Sequence, residues 1–290
     1  MASLRDRLKE DKILIADGAT GTFLQKAGLP AGSVPERWNT ENPDTIRQMH
    51  QAYVDAGSDL ILTNTFGGNR FRLGRDGLQE QVQQANAAAV KLAKEAAGDR
   101  AMVLGDIGPT GELLEPLGTL TYAAAVEAFA EQAAALANAG VDGLLAETMS
   151  SLDEAKAVVE GVQRVSELPL LVTFSFDTKG RTMMGLDPVQ AAETIWAMGV
   201  DAVGANCGRT LTENLEAITK MRQALPQATL MAKPNAGLPH VENQEIVYDV
   251  TPEIMAEYAH KFAALKVSVL GGCCGSTPQH IRAIAVAIRD

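Results

Sequence analysis

Cysteine is nearly missing from this sequence, with three in 290 residues: Cys207, Cys273 and Cys274. An odd, low count cannot build the disulfide framework of a small secreted scaffold. There is no basic run, and the formal net charge is −11. Such a chain gains nothing from a phosphate backbone, so nucleic acid is excluded as the natural partner. No stretch of about 18 apolar residues occurs, which excludes a transmembrane helix and a membrane partner. The opening MASLRDRLKEDKILIADG has no apolar run of signal-peptide length. The cytoplasm is the expected compartment. No two glycines stand two positions apart, so the G-x-G-x-x-G turn of dinucleotide-binding sheets is absent. Linkers and low-complexity tracts are absent too.

What is present is ordinary for a soluble enzyme: 46% apolar and 21% charged residues. Short apolar runs alternate with longer helical patterns. Strands are predicted at 13–17 (ILIAD), 59–64 (DLILTN), 102–108 (MVLGDIG), 141–148 (VDGLLAET), 168–176 (LPLLVTFSF), 200–207 (VDAVGANC), 228–235 (ATLMAKPN) and 267–274 (VSVLGGCC). Helices follow each of them. The helix over 44–57 should stop at Gly57, and that over 122–139 at Gly140. Ser151 and Glu154 have the spacing of a capping box, and Asp187-Pro188 marks another helix start. The strands are continuously apolar, as strands covered on both faces are. Eight strands and eight helices in strict alternation predict a single (β/α)8 TIM barrel over 1–290, with an open doubly wound sheet as the alternative.

In such a barrel the functional site lies at the carboxyl ends of the strands. All three cysteines fall there. The ends of strands six and eight should lie roughly 10 Å apart, a gap loop-borne sulfurs can close. Three thiolates suit a soft divalent ion, and catalytic zinc typically keeps three protein ligands and one open position. Buried apolar cysteines and a vicinal disulfide are the other readings. Asp17 and Glu147 also end strands; they either cap and pair structurally or hold an ammonium group. Asn235, in PNAG, is a turn residue or a polar site ligand. Lys233 precedes it at the position that a lysine-dependent aldolase or a phosphosugar isomerase would need. His50, His240, His260 and His280 lie away from the strand ends and read as surface or packing residues.

The segments IADGATGT, LTNTFG, GDIGPTGELLEPLG, AETMSSLDE, GANCG, KPNAGLPHVENQEIVYDVTP and GGCCGSTPQHI together resemble the zinc-dependent homocysteine S-methyltransferases. The resemblance is closest to the homocysteine-binding module of cobalamin-dependent methionine synthase. It spans nearly the whole chain. It implies a (β/α)8 barrel that methylates L-homocysteine to methionine. Cys207, Cys273 and Cys274 match the ligands of one zinc ion. Asp17, Gly18 and Glu147 match the substrate's amino-acid end, and Asn235 matches a polar residue close to the metal. The reactive group implied is the substrate's own zinc-activated thiolate, with no acid or base from the protein. The family's betaine branch uses an aromatic cage, but the corresponding positions here are Val34, Gly67 and Thr148, with Trp38 shifted from the first. No histidine stands in a D-x-H-x-x-G corrinoid motif. The donor implied is therefore methylcobalamin supplied in trans by a separate methyl-corrinoid protein. Betaine, S-methylmethionine and S-adenosylmethionine are the alternatives. A non-catalytic zinc- or thiol-binding barrel is the reading from another class.

Overall fold

The computed structural model describes residues 2–30, 32–242 and 245–289. The chain order is α1 (Leu4–Arg7), β1 (Leu14–Ile15), α2 (Thr20–Lys26), α3 (Trp38–Glu41), α4 (Pro43–Ala56), β2 (Leu60–Leu62), α5 (Arg70–Gly74), α6 (Val82–Ala97) and β3 (Met102–Ile107). It continues with α7 (Tyr122–Asn138), β4 (Gly143–Met149), α8 (Leu152–Val165), β5 (Leu170–Phe174), α9 (Pro188–Trp196), β6 (Ala202–Cys207), α10 (Leu211–Ala224) and β7 (Leu230–Pro234). A hairpin, β8 (Pro239–Glu242) and β9 (Glu245–Tyr248), precedes α11 (Pro252–Ala264), β10 (Val269–Leu270) and α12 (Pro278–Arg289).

Eight parallel strands run in the order β1-β10-β7-β6-β5-β4-β3-β2. The seam between β1 and β2 is closed by a single parallel bridge, Ala16 to Leu60. Asp59 strengthens it on both sides: its N–H donates to the Ile15 carbonyl at 2.7 Å, and its carboxylate accepts the Ile15 N–H at 2.9 Å. The expected TIM barrel is therefore what forms.

Continuously apolar strands serve two cores. Leu14, Leu60, Met102, Leu104, Leu145, Leu171, Met231 and Val269 point into the barrel. Their neighbours Ile15, Ile61, Val103, Leu144, Val172, Val203 and Leu270 point out against the helices. The period-two alternation of a strand divides one apolar run between the two layers. Helix starts are set by side-chain caps: Thr121, Ser151, Asp187, Thr210 and Thr251 each accept a backbone N–H of the first turn. α4 stops at Gly57, whose φ of 104° is left-handed.

Three expectations need correction. The alternation is not strict, because α1 precedes β1 and short helices α2, α3 and α5 sit in the loops. α1 closes the bottom of the barrel, with Leu4 and Leu8 buried in the inner core. The hairpin interrupts the β7-to-α11 connection. The capping box at α8 is only half formed: the Ser151 hydroxyl accepts the Glu154 N–H, but the Glu154 carboxylate turns away and accepts the N–H and hydroxyl of Thr110 at 2.8 and 2.6 Å. Among the described residues no helix is long and apolar enough to cross a membrane.

Of the histidines read as packing or surface, His280 is buried with both ring nitrogens engaged, to Thr277 and to the Val250 carbonyl. His50, on α4, is fully buried and neither ring nitrogen has a hydrogen-bond partner. Burial alone holds its pKa at about 4. Because the folded value lies below the ordinary one, the unfolded chain takes the proton first, and stability present near neutrality is lost as pH falls from about 6.5 towards 4. The loss reaches about 3 kcal/mol at most. Thermal midpoints of wild type and His50→Leu, compared between about pH 7 and about pH 5, should fall less in the variant. Equal slopes would show that another group governs the acid limb.

Candidate functional site

The inward row of each strand changes character at its carboxyl end. Above the leucine and methionine layers come Asn64 on the β2 loop, Asp106 on β3, Glu147 on β4, Asn206 on β6 and Lys233 on β7, all buried. A charged floor therefore closes the barrel beneath a cavity of about 560 Å³. Asp106, Glu147, Lys233, Gly18 and all three cysteines line this cavity.

Lys233 organises the floor. Its ammonium lies 3.2 Å from Asp17 Oδ1 and 3.6 Å from Glu147 Oε2. Burial works against its charge, but the carboxylates of Asp17 and Glu147 outweigh burial and hold the ammonium above the ordinary lysine range. A lysine so charged is a poor amine nucleophile, which disfavours the aldolase reading. Burial raises Asp17 against the pull of Lys233, and pushes Glu147 up to about 7 against the same pull. Asp17 Oδ2 also accepts the Leu62 N–H at 2.8 Å, so its side chain links β1 to β2 at the barrel seam. Gly18 follows because no side chain fits there: a Cβ would stand 2.7 Å from the Ser276 carbonyl oxygen and 2.8 Å from the Tyr53 ring. The Tyr53 hydroxyl donates towards the Ala19 and Ser276 carbonyls, fixing this turn to the cysteine loop.

The thiols converge in the same cavity. The sulfurs of Cys207, Cys273 and Cys274 all lie within 4.8 Å of one another, and Cys207 Sγ is 2.9 Å from Cys273 Sγ. Cys207 reaches this position with a left-handed φ of 52°. Asn206 holds the turn. Its amide donates to the Thr148 hydroxyl at 2.7 Å and stands 3.6 and 3.8 Å from the sulfurs of Cys207 and Cys273. Its oxygen accepts the Thr148 N–H and the Thr173 hydroxyl, each at 2.8 Å. Thr148 is itself at φ 64°, unusual for a β-branched residue. The thiols act on one another: hydrogen bonds from Cys207 and then Cys273 lower the Cys274 thiol, while Cys207 and Cys273 are held up. Three mutually close soft donors fit a zinc-type ion.

Asn235 sits beside this cluster. Its amide donates to the Gly208 carbonyl at 2.6 Å, and its buried Oδ1 has no hydrogen-bond partner. It is not among the residues lining the cavity, whereas the three cage positions Val34, Gly67 and Thr148 are. The one aromatic ring among the described lining residues is Phe66, and the Arg72 guanidinium lies over it at 5.6 Å. A second cavity of about 710 Å³ adjoins the first, with Phe66, Arg72 and Thr148 lining both.

Sequence reasoning brought Asp17, Glu147 and the cysteines to one mouth, and the structure puts them there. It missed Asp106, Lys233 as the ion partner, and Asn206. The signal was available in period two: Asp106 continues Met102 and Leu104, and Lys233 continues Met231, each the polar end of an inward row.

The family model of homocysteine S-methyltransferases matches residues 14–288. The chain belongs to that family. It is 32% identical to a methionine synthase of Mycobacterium leprae over 298 residues, covering 96% of this chain and 24% of that one. The methionine synthase of Mycobacterium tuberculosis is 33% identical, with 96% and 25% covered. The chain thus spans about a quarter of the length of these curated relatives. The fold is that of the homocysteine methyltransferase MmuM from Escherichia coli in its metallated form, with a TM-score of 0.80 at 23% identity and 96% of each chain covered.

Asn206→Ala should cost about 2–3 kcal/mol, because it strands the Thr173 hydroxyl and frees the Thr148 turn. An unchanged denaturant midpoint would show that the clamp contributes nothing.

Proposed function

We propose that this barrel transfers a methyl group to the sulfur of L-homocysteine, giving methionine, with one zinc ion held by Cys207, Cys273 and Cys274. The observation that carries the reading is the pairing of opposites in one cavity, lined both by three soft sulfur donors and by buried carboxyl groups. An amino acid with a thiol at the end of its side chain complements both.

A free thiol ionises near pH 8.5, so little thiolate exists at neutrality. Zinc, when bound, supplies the Lewis acidity that removes this proton. The chain's residues do the rest. Of the acids at the ammonium end of the substrate, Glu147 faces the cavity, and Asp17, paired with Lys233, fixes the charged floor beside it. Gly18 leaves room for the turn that packs beside them. Asn206 fixes Cys207, and Asn235 holds the Gly208 carbonyl of the loop that follows. No side chain is needed as acid or base at the sulfur, since transfer of a methyl group to a thiolate moves no proton. The protein's contribution is positioning.

For the donor we favour a separate methyl-corrinoid protein approaching the mouth. The second cavity offers an opening for a bulky donor and is rimmed by the exposed side chains of Leu113, Leu117, Met183 and Met184. The curated relatives named as methionine synthases are about four times as long as the matched segment. A quaternary-ammonium donor such as betaine finds only Phe66 here, already covered by Arg72. A sulfonium donor, S-methylmethionine or S-adenosylmethionine, is the alternative for the donor screen. A zinc-binding barrel without turnover would form no methionine with any of them. The cytoplasm, with its reduced thiols, suits three free cysteines.

Cys207→Ala should remove most bound zinc, by metal analysis, while the barrel melts as before, because the ligands lie at the mouth rather than in the core. Full zinc occupancy in that variant would contradict the site. Glu147→Ala should raise KM for L-homocysteine at least about tenfold with zinc content unchanged, as expected when one partner of a desolvated charge pair is removed. Unchanged KM would reduce Glu147 to a structural acid.

A further inference from the structure

Asp17 and Glu147 are not equally free to receive an ammonium group. Asp17 has both oxygens engaged, Oδ1 by Lys233 at 3.2 Å and Oδ2 by the Leu62 N–H at 2.8 Å. Glu147 Oε2 has Lys233 at 3.6 Å and no hydrogen-bond partner. Beside it stands a third carboxyl. Asp106 is 5% exposed, and its buried Oδ1 has no hydrogen-bond partner either. Asp106 pairs in register with Leu145, so Glu147 lies two residues further along the adjacent strand on the same inward face. Both residues line the cavity that holds the thiols.

Two neighbouring buried carboxyls with unpartnered oxygens are costly unless a donor joins them. We infer that Asp106 is a substrate-binding residue: with Glu147 it forms the seat for the substrate's α-ammonium, while Asp17 and Lys233 form a fixed internal pair beside that seat. The assignment rests on the reading of the cavity as a site for an amino-acid thiol. Burial and then the Glu147 carboxylate hold the Asp106 carboxyl above its usual range, so a cation seated between the two relieves both. A ligand ammonium brings three N–H donors, enough for both unpartnered oxygens. The seat selects α-amino thiols over thiols that lack the amine.

The test combines a protein change with a ligand change. Zinc-loaded wild type and Asp106→Asn are titrated calorimetrically with L-homocysteine and with 4-sulfanylbutanoic acid, which lacks only the amine. The variant should weaken homocysteine binding about tenfold or more and leave the desamino thiol within about twofold, as for loss of a hydrogen bond to a charged group. Zinc content should be unchanged. Equal losses for both ligands would make Asp106 structural, and no loss for homocysteine would remove it from the site; either result overturns the inference. Should Asp106→Asn fail to fold, the smaller Asp106→Ser carries the same comparison. If neither thiol binds zinc-loaded wild type, the amino-acid-thiol reading itself has failed, and the inference falls with it. That result differs from intact homocysteine binding that is indifferent to Asp106.

Discussion

A lysine ammonium buried at the centre of the barrel mouth, between the carboxylates of Asp17 and Glu147, sets the terms for everything above it. A buried ion cluster of this kind contributes little net stability over an apolar core of the same size, because desolvation offsets most of the attraction. Its worth lies in what it fixes. The three side chains come from β4, β7 and the segment just after β1, so the cluster ties elements from across the barrel, and Asp17 further reaches the backbone of β2. Carboxyl groups could not be held dry at this level without Lys233, and without them the cavity would present only sulfur and carbon.

Stability and chemistry are separated by height along the strands. The lower inward positions are leucine, methionine, valine and alanine, sealed below by Leu4 of α1 and Leu8 just after it. The outward positions pack the helices into the larger core. Polar side chains come only at the upper inward positions, as at Asp106, Glu147, Asn206 and Lys233, and that layer carries the strained turns at Thr148 and Cys207 that Asn206 restrains. The rigid lower layers allow the top layer to hold unusual backbone and perturbed charge. The two sulfur-bearing loops come from β6 and β10, with β7 between them, and the same β7 supplies Lys233. One strand thus separates the thiols and anchors the charged floor.

Much of this was legible in the sequence, and the parts that were not share a physical cause. The eight strands stand out because both of their faces are apolar. Gly57, Ser151 and Asp187 mark helix ends by local chemistry alone. Cys207, Cys273 and Cys274 could be placed together because each follows a strand, and barrel topology brings strand ends to one face. Lys233 and Asp106 carry a period-two signal, but in strands apolar on both faces that parity alone does not say which face is the barrel interior. Glu154 carries a capping-box spacing, yet a tertiary partner, Thr110, takes its carboxylate. α1 covers barely more than a turn and owes its place to the open barrel bottom it fills, a tertiary reason that no local pattern displays. All four residues of β8 are exposed, so no buried face announced that strand.

The central claim is that the thiol trio forms a metal centre with one position kept for the sulfur of an amino acid held at its other end by carboxyl groups. Zinc K-edge X-ray absorption on the zinc-loaded protein, recorded alone and after saturation with L-homocysteine, tests it most directly. The account predicts three sulfur neighbours at zinc in the free protein, one from each cysteine of the trio, and a fourth after homocysteine is added. A shell with fewer than three sulfurs, or a sulfur count that stays the same when homocysteine saturates the protein, would contradict it.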